Sequence, residues 1–507
     1  MRFAVGAGRL CLGAILCSTV IAASHPTREE SDPGRRPPRL AVGQPVEGAS
    51  NSGPSFLFIL ADDMGWGDPG VYGHPQIKTP EIDGLASQGV LFTQYYAMSP
   101  VCSPSRASLL TGRFPAELNI RAGLASTSAG NAAKGQANFL DPDLYTLPDH
   151  LKSAGYVTGL YGKWHLGHTT DAPDPGEYGI DEHLTITSTG PVLSRTGSNL
   201  SAVFGHTNGA VDEALAFLDR HQSERFFLSV WMVLPHTVLD PTADQMAQYN
   251  HLLPPNIPDR GSKTVYYAAI SEVDRQLGRL LEKLDELGLS DTTMVIFTSD
   301  NGPEDIYVRE ATHSGIGSTG PFRGRKRSLY EGGLRMPLIV RLPGLTPPGS
   351  VNDSVVASVD FLPTIAELVG KPLPAPLILD GEDVSRALQG ATRIRHGSLL
   401  WESSYTPGIG PPQDKSPVLA NRDGPWKLLM NPDGHRVEFF NVVDDPGERS
   451  ELSQSPDTVV QQKLLDMRAS LLLWHGGLAQ TVPPLNSGTD GWNWPGSESE
   501  YETDGDD

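Results

Sequence analysis

Phe56-Leu57-Phe58-Ile59-Leu60 is an unbroken apolar run of strand length, and Val157 to Tyr161, Phe226 to Val233, Met294 to Phe297 and Leu338 to Val340 are further strand candidates. Unbroken runs mark strands covered on both faces, because a strand with one wet face alternates apolar and polar residues. Helical signals lie between them. Thr79-Pro80 opens a short helix that Gly89 closes. Tyr266, Ile270, Val273, Leu277, Leu280, Leu284 and Leu287 form one stripe ending at Gly288, and Asp360 to Gly370 is a further capped segment. Buried strands alternating with helices predict an α/β domain with a large, mostly parallel sheet flanked by helices.

After about residue 395 the pattern changes. Ser398 to Trp401, Pro417 to Asn421, Trp426 to Met430 and Val437 to Phe440 follow closely, with Asp433-Gly434 as a hairpin turn. Val460, Leu464, Met467, Leu471 and Trp474 then share one helical face. This predicts a smaller C-terminal antiparallel sheet plus helix. The expected organisation is a large domain over 53–395, a small α+β domain over 396–480 and an acidic, disordered tail over 481–507. Residues 25–52, rich in Pro, Arg, Glu and Gly without periodicity, read as a disordered leader. Residues 1–24 carry Arg2 and Arg9, an apolar run from Leu10 to Ala23, and small residues at Ala22, Ala23 and Ser24, the form of a secretory signal peptide. The run is short for a membrane span, so the expectation is an exported protein, periplasmic or secreted, with no stable membrane insertion.

The 507 residues carry a formal charge of −21, which excludes a nucleic-acid partner that would demand a basic stripe. Cys11 and Cys17 fall in the removable segment, so Cys102 has no partner for a disulfide. It begins Cys102-Ser103-Pro104-Ser105-Arg106-Ala107-Ser108-Leu109-Leu110-Thr111-Gly112-Arg113. Ser103 is suited to cap a helix, Pro104 fits its first turn, and Arg106 lies near the same end, where free N–H groups suit an anion. A space-filling buried cysteine and a reactive thiolate beside Arg106 are the competing readings. Two strand ends also carry dense oxygen donors, Asp62-Asp63 after Leu60-Ala61 and Asp300-Asn301 after Thr298-Ser299. Ligands gather beyond the carboxyl ends of strands in open α/β sheets, and hard oxygen donors select Ca²⁺ or Mg²⁺ over zinc.

The Cys102 stretch resembles the Cys-x-Pro-x-Arg signature of type I sulfatases, the arylsulfatase A-like, formylglycine-dependent family of the alkaline phosphatase superfamily. Two further segments carry the resemblance, Gly162-Lys163-Trp164-His165 and Arg323-Gly324-Arg325-Lys326-Arg327-Ser328-Leu329-Tyr330-Glu331-Gly332-Gly333, and it covers most of residues 53–475. The resemblance implies an alkaline-phosphatase-like fold and a Cα-formylglycine made from Cys102 by a maturation enzyme. It also implies a calcium ion, with magnesium less suited, held by Asp62, Asp63, Asp300 and Asn301 beside position 102. Lys163, His236 and Lys326 would contact the sulfate, Arg106 would offset its charge, and His165 would act as a base on the formylglycine. A protonated His236 or Lys326 would assist the departing alkoxide. His236 sits in a looser segment, with Val238 where a proline is common. His313, Ser318 and Arg323 are candidates to line the substrate pocket, a family serine falls near Ser188 or Thr189, and His168 is left structural. The implied activity is hydrolysis of a sulfate ester of a small molecule or oligosaccharide. The alternatives are a phosphonate monoester or phosphodiester hydrolase of the same superfamily, and a catalytically silent carbohydrate-binding relative.

Overall fold

The computed structural model describes residues 53–186, 192–193, 199–200, 203–253, 261–305, 313–403 and 411–479. The expected signal peptide, leader and acidic tail lie outside them, as do Ser188 and Thr189. In chain order the strands are β1 (Ser55–Ala61), β2 (Val90–Tyr96), β3 (Val157–Lys163) and β4 (Glu182–Ile186), then a ribbon of β5 (Val192–Leu193) and β6 (Asn199–Leu200). They continue with β7 (Phe226–Trp231), β8 (Thr293–Ser299), β9 (Arg335–Arg341), β10 (Ser350–Asn352) and β11 (Val356–Ala357). A nine-stranded sheet runs in the order β10-β2-β9-β8-β1-β7-β3-β4, with β11 also on β2. Every pairing is parallel except those of β9, which runs against β2 and β8.

Both faces of β1 are covered, which explains its unbroken apolar run. Leu57 and Ile59 enter one core with Val273, Leu277 and Leu280 of the helix Ser262–Glu286. Phe56, Phe58 and Leu60 enter the other, with Phe361 and Ile365 of the helix Phe361–Val369. Four sheet strands carry no signal in the apolar pattern: β2, β4 and the two- and three-residue β11 and β10. In β2 the half-buried Thr93 and Gln94 interrupt the run, and β4 is an edge strand whose first four residues are only half buried.

The predicted C-terminal sheet is present as β12 (Leu399–Glu402), β13 (Leu419–Asp423), β14 (Trp426–Met430) and β15 (Glu438–Asn441), all antiparallel. The helix Thr458–Gly476 packs on it through Leu464, Met467 and Leu471. Its core is continuous with Tyr96, Met98, Leu329 and Tyr330 of the main sheet's side. A fully buried Lys427 on β14 spans this seam, 2.8 Å from Glu331 and 2.9 Å from Glu448. Burial raises the Glu448 pKa to about 7, against the opposing pull of Lys427. Glu331 lies five residues beyond Lys326, so the ion-paired seam anchors the basic segment. Lys427→Met should cost about 3–5 kcal/mol, because it leaves the buried Glu448 without its ion-pair partner and Glu331 with only Arg335, at 3.4 Å. The check is the urea unfolding midpoint, expected to fall markedly; a midpoint equal to wild type would show that the seam holds no such charge.

Candidate active site

The parallel topology gathers the candidate residues at one edge. Asp62 and Asp63 follow the carboxyl end of β1, Asp300 and Asn301 follow β8, Lys163 ends β3, and His236 lies beyond β7. The helix Cys102–Thr111 follows β2. Lys326 precedes β9, and because β9 is reversed its amino end lies at this same edge. Gly162 is required here: its φ is +115°, and a Cβ would lie 2.0 Å from the Trp231 carbonyl oxygen of the neighbouring strand. That close approach seats Lys163 beside the ends of β1 and β7.

Three buried ion pairs build the cluster. Arg106 donates to Asp300 Oδ2 from Nε at 3.0 Å and Nη2 at 2.7 Å, while its Nη1 donates to the Lys163 carbonyl at 2.6 Å. Lys163 Nζ stands 2.5 Å from Asp62 Oδ2, and Lys326 Nζ stands 2.6 Å from Asp63 Oδ2. Cys102 Sγ lies between the first two strand ends, 3.4 Å from Lys163 Nζ and 3.5 Å from Asp62 Oδ1. His236 Nε2 is 3.7 Å from Asp63 Oδ2, and its Nδ1 faces the Thr237 carbonyl at 2.8 Å. Asp63 adopts φ 66° and His165 φ 57°, left-handed conformations that cost non-glycine residues about 1 kcal/mol or more and gather at functional sites.

The helix differs in detail from the expected anion-holding cap. It starts at Cys102 rather than after Ser103, so Ser103 lies inside it and its Oγ instead accepts from the Leu124 amide at 3.0 Å. Ser105 Oγ ties the first turn to the Asp300 carbonyl at 2.5 Å. Pro104 stays within the first turn, and Arg106 is fully buried against the Trp231 ring.

Burial pushes the Cys102 thiol far up, outweighing the pull of Lys163 and Lys326, so the unmodified side chain is a neutral thiol and the reactive-thiolate reading fails. Burial opposes the charge of Asp63, but the ammonium groups of Lys326 and Lys163 hold it well below the usual carboxylate range. Burial and the facing Asp62 raise Asp300 despite Arg106. Burial also disfavours the charged forms of Lys163 and Lys326, yet Asp62 and Asp63 respectively keep both ammonium groups firmly protonated. Burial, then Lys163, holds His165 neutral, and burial with Lys326 and Lys163 drives His236 down to about 3. The surroundings of His236 thus favour the neutral imidazole, while those of Lys326 favour the charged ammonium.

The donor set suits a hard cation. Ligand atoms of Asp62, Asp63, Cys102 and Asp300 all lie within 4.8 Å of one another. Asn301 Nδ2 donates to Asp63 Oδ1 at 2.7 Å, which leaves its Oδ1 buried with no hydrogen-bond donor. A buried acceptor of that kind calls for a partner, and an oxygen-binding cation is one.

Other candidates lie elsewhere. The buried Arg323 donates to the Gln413 carbonyl at 2.6 Å and the Glu448 carbonyl at 3.2 Å, and covers the Tyr330 ring; it clamps the C-terminal seam instead of entering the cluster. Arg325 likewise secures the backbone at Glu304, Gly315 and Gly317. His313 faces Ser262 Oγ at 3.3 Å, while the next residue, Ser314, donates to the Pro235 carbonyl and so borders the His236 loop. The Ser318 amide donates to Asp68. His168 meets His165 edge-on, with ring centroids 4.7 Å apart. Sequence reasoning missed Glu304, a buried carboxylate 3.5 Å from Lys326 Nζ; its place three residues beyond Asn301 was the available signal.

A family model described as sulfatase matches residues 54–371, and one described as N-sulphoglucosamine sulphohydrolase, C-terminal, matches residues 320–471. The chain is 32% identical to human N-acetylgalactosamine-6-sulfatase over 85% of its length and 88% of the relative's. It is 30% identical to mouse steryl-sulfatase over 82% of its length and 81% of the relative's. The solved structure of Ps i-CgsB in complex with k-i-k-neocarrahexaose matches with a TM-score of 0.72 and 26% identity, covering 85% of this chain and 94% of that one.

If the acidic cluster holds a cation, adding calcium to chelated protein should raise Tm, with about 2.7 kcal/mol of stabilisation at a hundredfold excess over Kd. Asp300→Asn should lose that calcium-dependent increment. Scanning calorimetry with and without calcium is the check, and an equal increment in both proteins would contradict the assignment.

Proposed function

The chain belongs to the sulfatase family and is a sulfuric ester hydrolase, and we propose from that premise that it desulfates a sulfated carbohydrate through a formylglycine made from Cys102, with calcium bound beside it. The observation that carries the reading is Cys102 itself. Its side chain lies within sulfur hydrogen-bonding reach of a buried ammonium and a buried carboxylate, which supports a nucleophile at this position held between a positive and a negative group. The alkaline-phosphatase-like fold and the complete acidic and basic set support turnover over the silent-binder alternative.

Converted to formylglycine, position 102 would supply a hydrated aldehyde, whose two hydroxyls would serve as nucleophile toward sulfur and as source of the proton lost on sulfate release. Asp62, Asp63, Asp300 and Asn301 would hold a calcium ion, which would supply positive charge against the sulfate. The protein's own groups do the rest. Lys163 and Lys326 enter from opposite sides with fixed charges and offset charge on the transferring group, a contribution that is large in a dry site. Arg106, locked by Asp300 and the Lys163 carbonyl, adds a charge that cannot titrate away. His165, held neutral, is competent to take the proton from position 102. Lys326 donates toward the leaving alkoxide, and His236 orients the ester through Nε2.

The sulfated-carbohydrate class rests on the N-acetylgalactosamine-6-sulfatase relatives and the neocarrahexaose-bound neighbour. A formylglycine-generating maturation enzyme is the implied partner. Export is supported by the sequence of residues 1–24. No described helix is long and apolar enough to cross a membrane. The proposed domains are the catalytic unit over 53–395 and the small unit over 396–480.

Lys326→Ala should lower kcat on a small aryl sulfate about a hundredfold, as losing one positioned transition-state charge does, and Cys102→Ala should abolish turnover. Initial rates on an aryl sulfate and an aryl phosphodiester in parallel decide the reaction class. Faster phosphodiester turnover would replace sulfate by phosphate, and a panel of sulfated sugars against a sulfated sterol tests the substrate class.

A further inference from the structure

Glu304 is 2% exposed and joins three parts of the basic segment. Its carboxylate pairs with Arg327 through both guanidinium nitrogens and lies 3.5 Å from Lys326 Nζ. Its own carbonyl accepts from Arg325 Nε at 2.9 Å, and the preceding Pro303 carbonyl accepts from the Lys326 amide at 2.9 Å. Arg327 is held at φ 73°, with its amide on the Pro100 carbonyl just before Cys102. That conformation costs a non-glycine residue about 1 kcal/mol or more, so the surroundings enforce it.

Each acid of the cluster has one close base, Asp300 with Arg106 at 2.7 Å, Asp62 with Lys163 at 2.5 Å and Asp63 with Lys326 at 2.6 Å, while Arg106 also reaches Asp62 at 3.5 Å. A cation held by Asp63 competes with Lys326 for the same carboxylate. An ammonium released from its carboxylate in a dry site needs another counter-charge to stay placed. Arg106 keeps the Lys163 carbonyl, but for Lys326 the second carboxylate within 4 Å is Glu304.

We propose that Glu304 is a positioning residue that takes over Lys326 from Asp63 when the site is loaded, and so aims the ammonium at the substrate's sulfate. Arg327 fixes the carboxylate so that it receives Lys326 without following it. The inference rests on the sulfatase reading and adds to it a residue that touches neither substrate nor cation.

The test is a double-mutant cycle read by calorimetric binding of inorganic sulfate to calcium-loaded protein. Glu304→Gln, which keeps size and removes charge, should weaken sulfate binding about tenfold, the order expected for misplacing a charge-assisted contact. Glu304→Asp should recover part of the loss. In the Lys326→Ala background Glu304→Gln should change sulfate affinity less than twofold, because the group it acts through is gone. Losses that multiply in the double variant, or a Glu304→Gln protein with wild-type sulfate affinity, would overturn the proposal. The same variants should show the same pattern in kcat on an aryl sulfate. A wild type that binds sulfate and hydrolyses no sulfate ester would refute the functional reading instead, and the binding cycle would still decide the role of Glu304.

Discussion

Three buried ion pairs, Arg106–Asp300, Lys163–Asp62 and Lys326–Asp63, are the constraint on which the rest of the structure depends. Such pairs add little net stability, because desolvating six charged groups costs about what their attraction returns. Their value is the electrostatic balance they hold. Three acids and three bases cancel formally, so neither a lone sulfate nor a lone dication meets a cluster of net opposite charge. Together a dication and a sulfate oxyanion can divide the partners between them, the acids turning to the cation and the bases to the anion. The buried, donorless Asn301 Oδ1 and the place of Cys102 between Lys163 and Asp62 fit that division.

Topology supplies the convergence. Parallel strands deliver their carboxyl ends to one edge, so Asp62, Lys163, His236 and Asp300 arrive together from segments up to 238 residues apart in sequence. The reversal of β9 brings Lys326 to that edge from the opposite chain direction. The C-terminal sheet then braces this last element: Lys427 binds Glu331 and Glu448, and Arg323 clamps the same seam. The ion-paired seam thus has a mechanical part in placing Lys326, although no residue of β12 to β15 belongs to the cluster.

Much of this was legible in the sequence because the physical signals are local. Unbroken apolar runs reveal doubly covered strands, as in β1 and β8, and the stripe from Tyr266 to Leu284 is buried as its spacing requires. Paired oxygen donors directly after such strands reveal a sheet-edge site. The failures occur where a role depends on long-range placement. Ser103 has the chemistry of a cap, but the helix begins one residue earlier and its hydroxyl serves Leu124. Arg323, Arg325 and Lys326 are alike in type and adjacent in sequence, and only Lys326 reaches the cluster; the two arginines hold carbonyls of neighbouring segments. Glu304 carries only its place three residues beyond Asn301 as a local mark, since its partners are two cations more than twenty residues away.

The central claim is that the cluster is balanced so that cation and sulfate stabilise each other's binding. Calorimetric titration of calcium in the presence and absence of saturating inorganic sulfate tests it most directly. Mutual neutralisation predicts that sulfate tightens calcium binding about tenfold or more, and by linkage that calcium tightens sulfate binding by the same factor. Calcium affinity indifferent to sulfate, or weakened by it, would contradict the account.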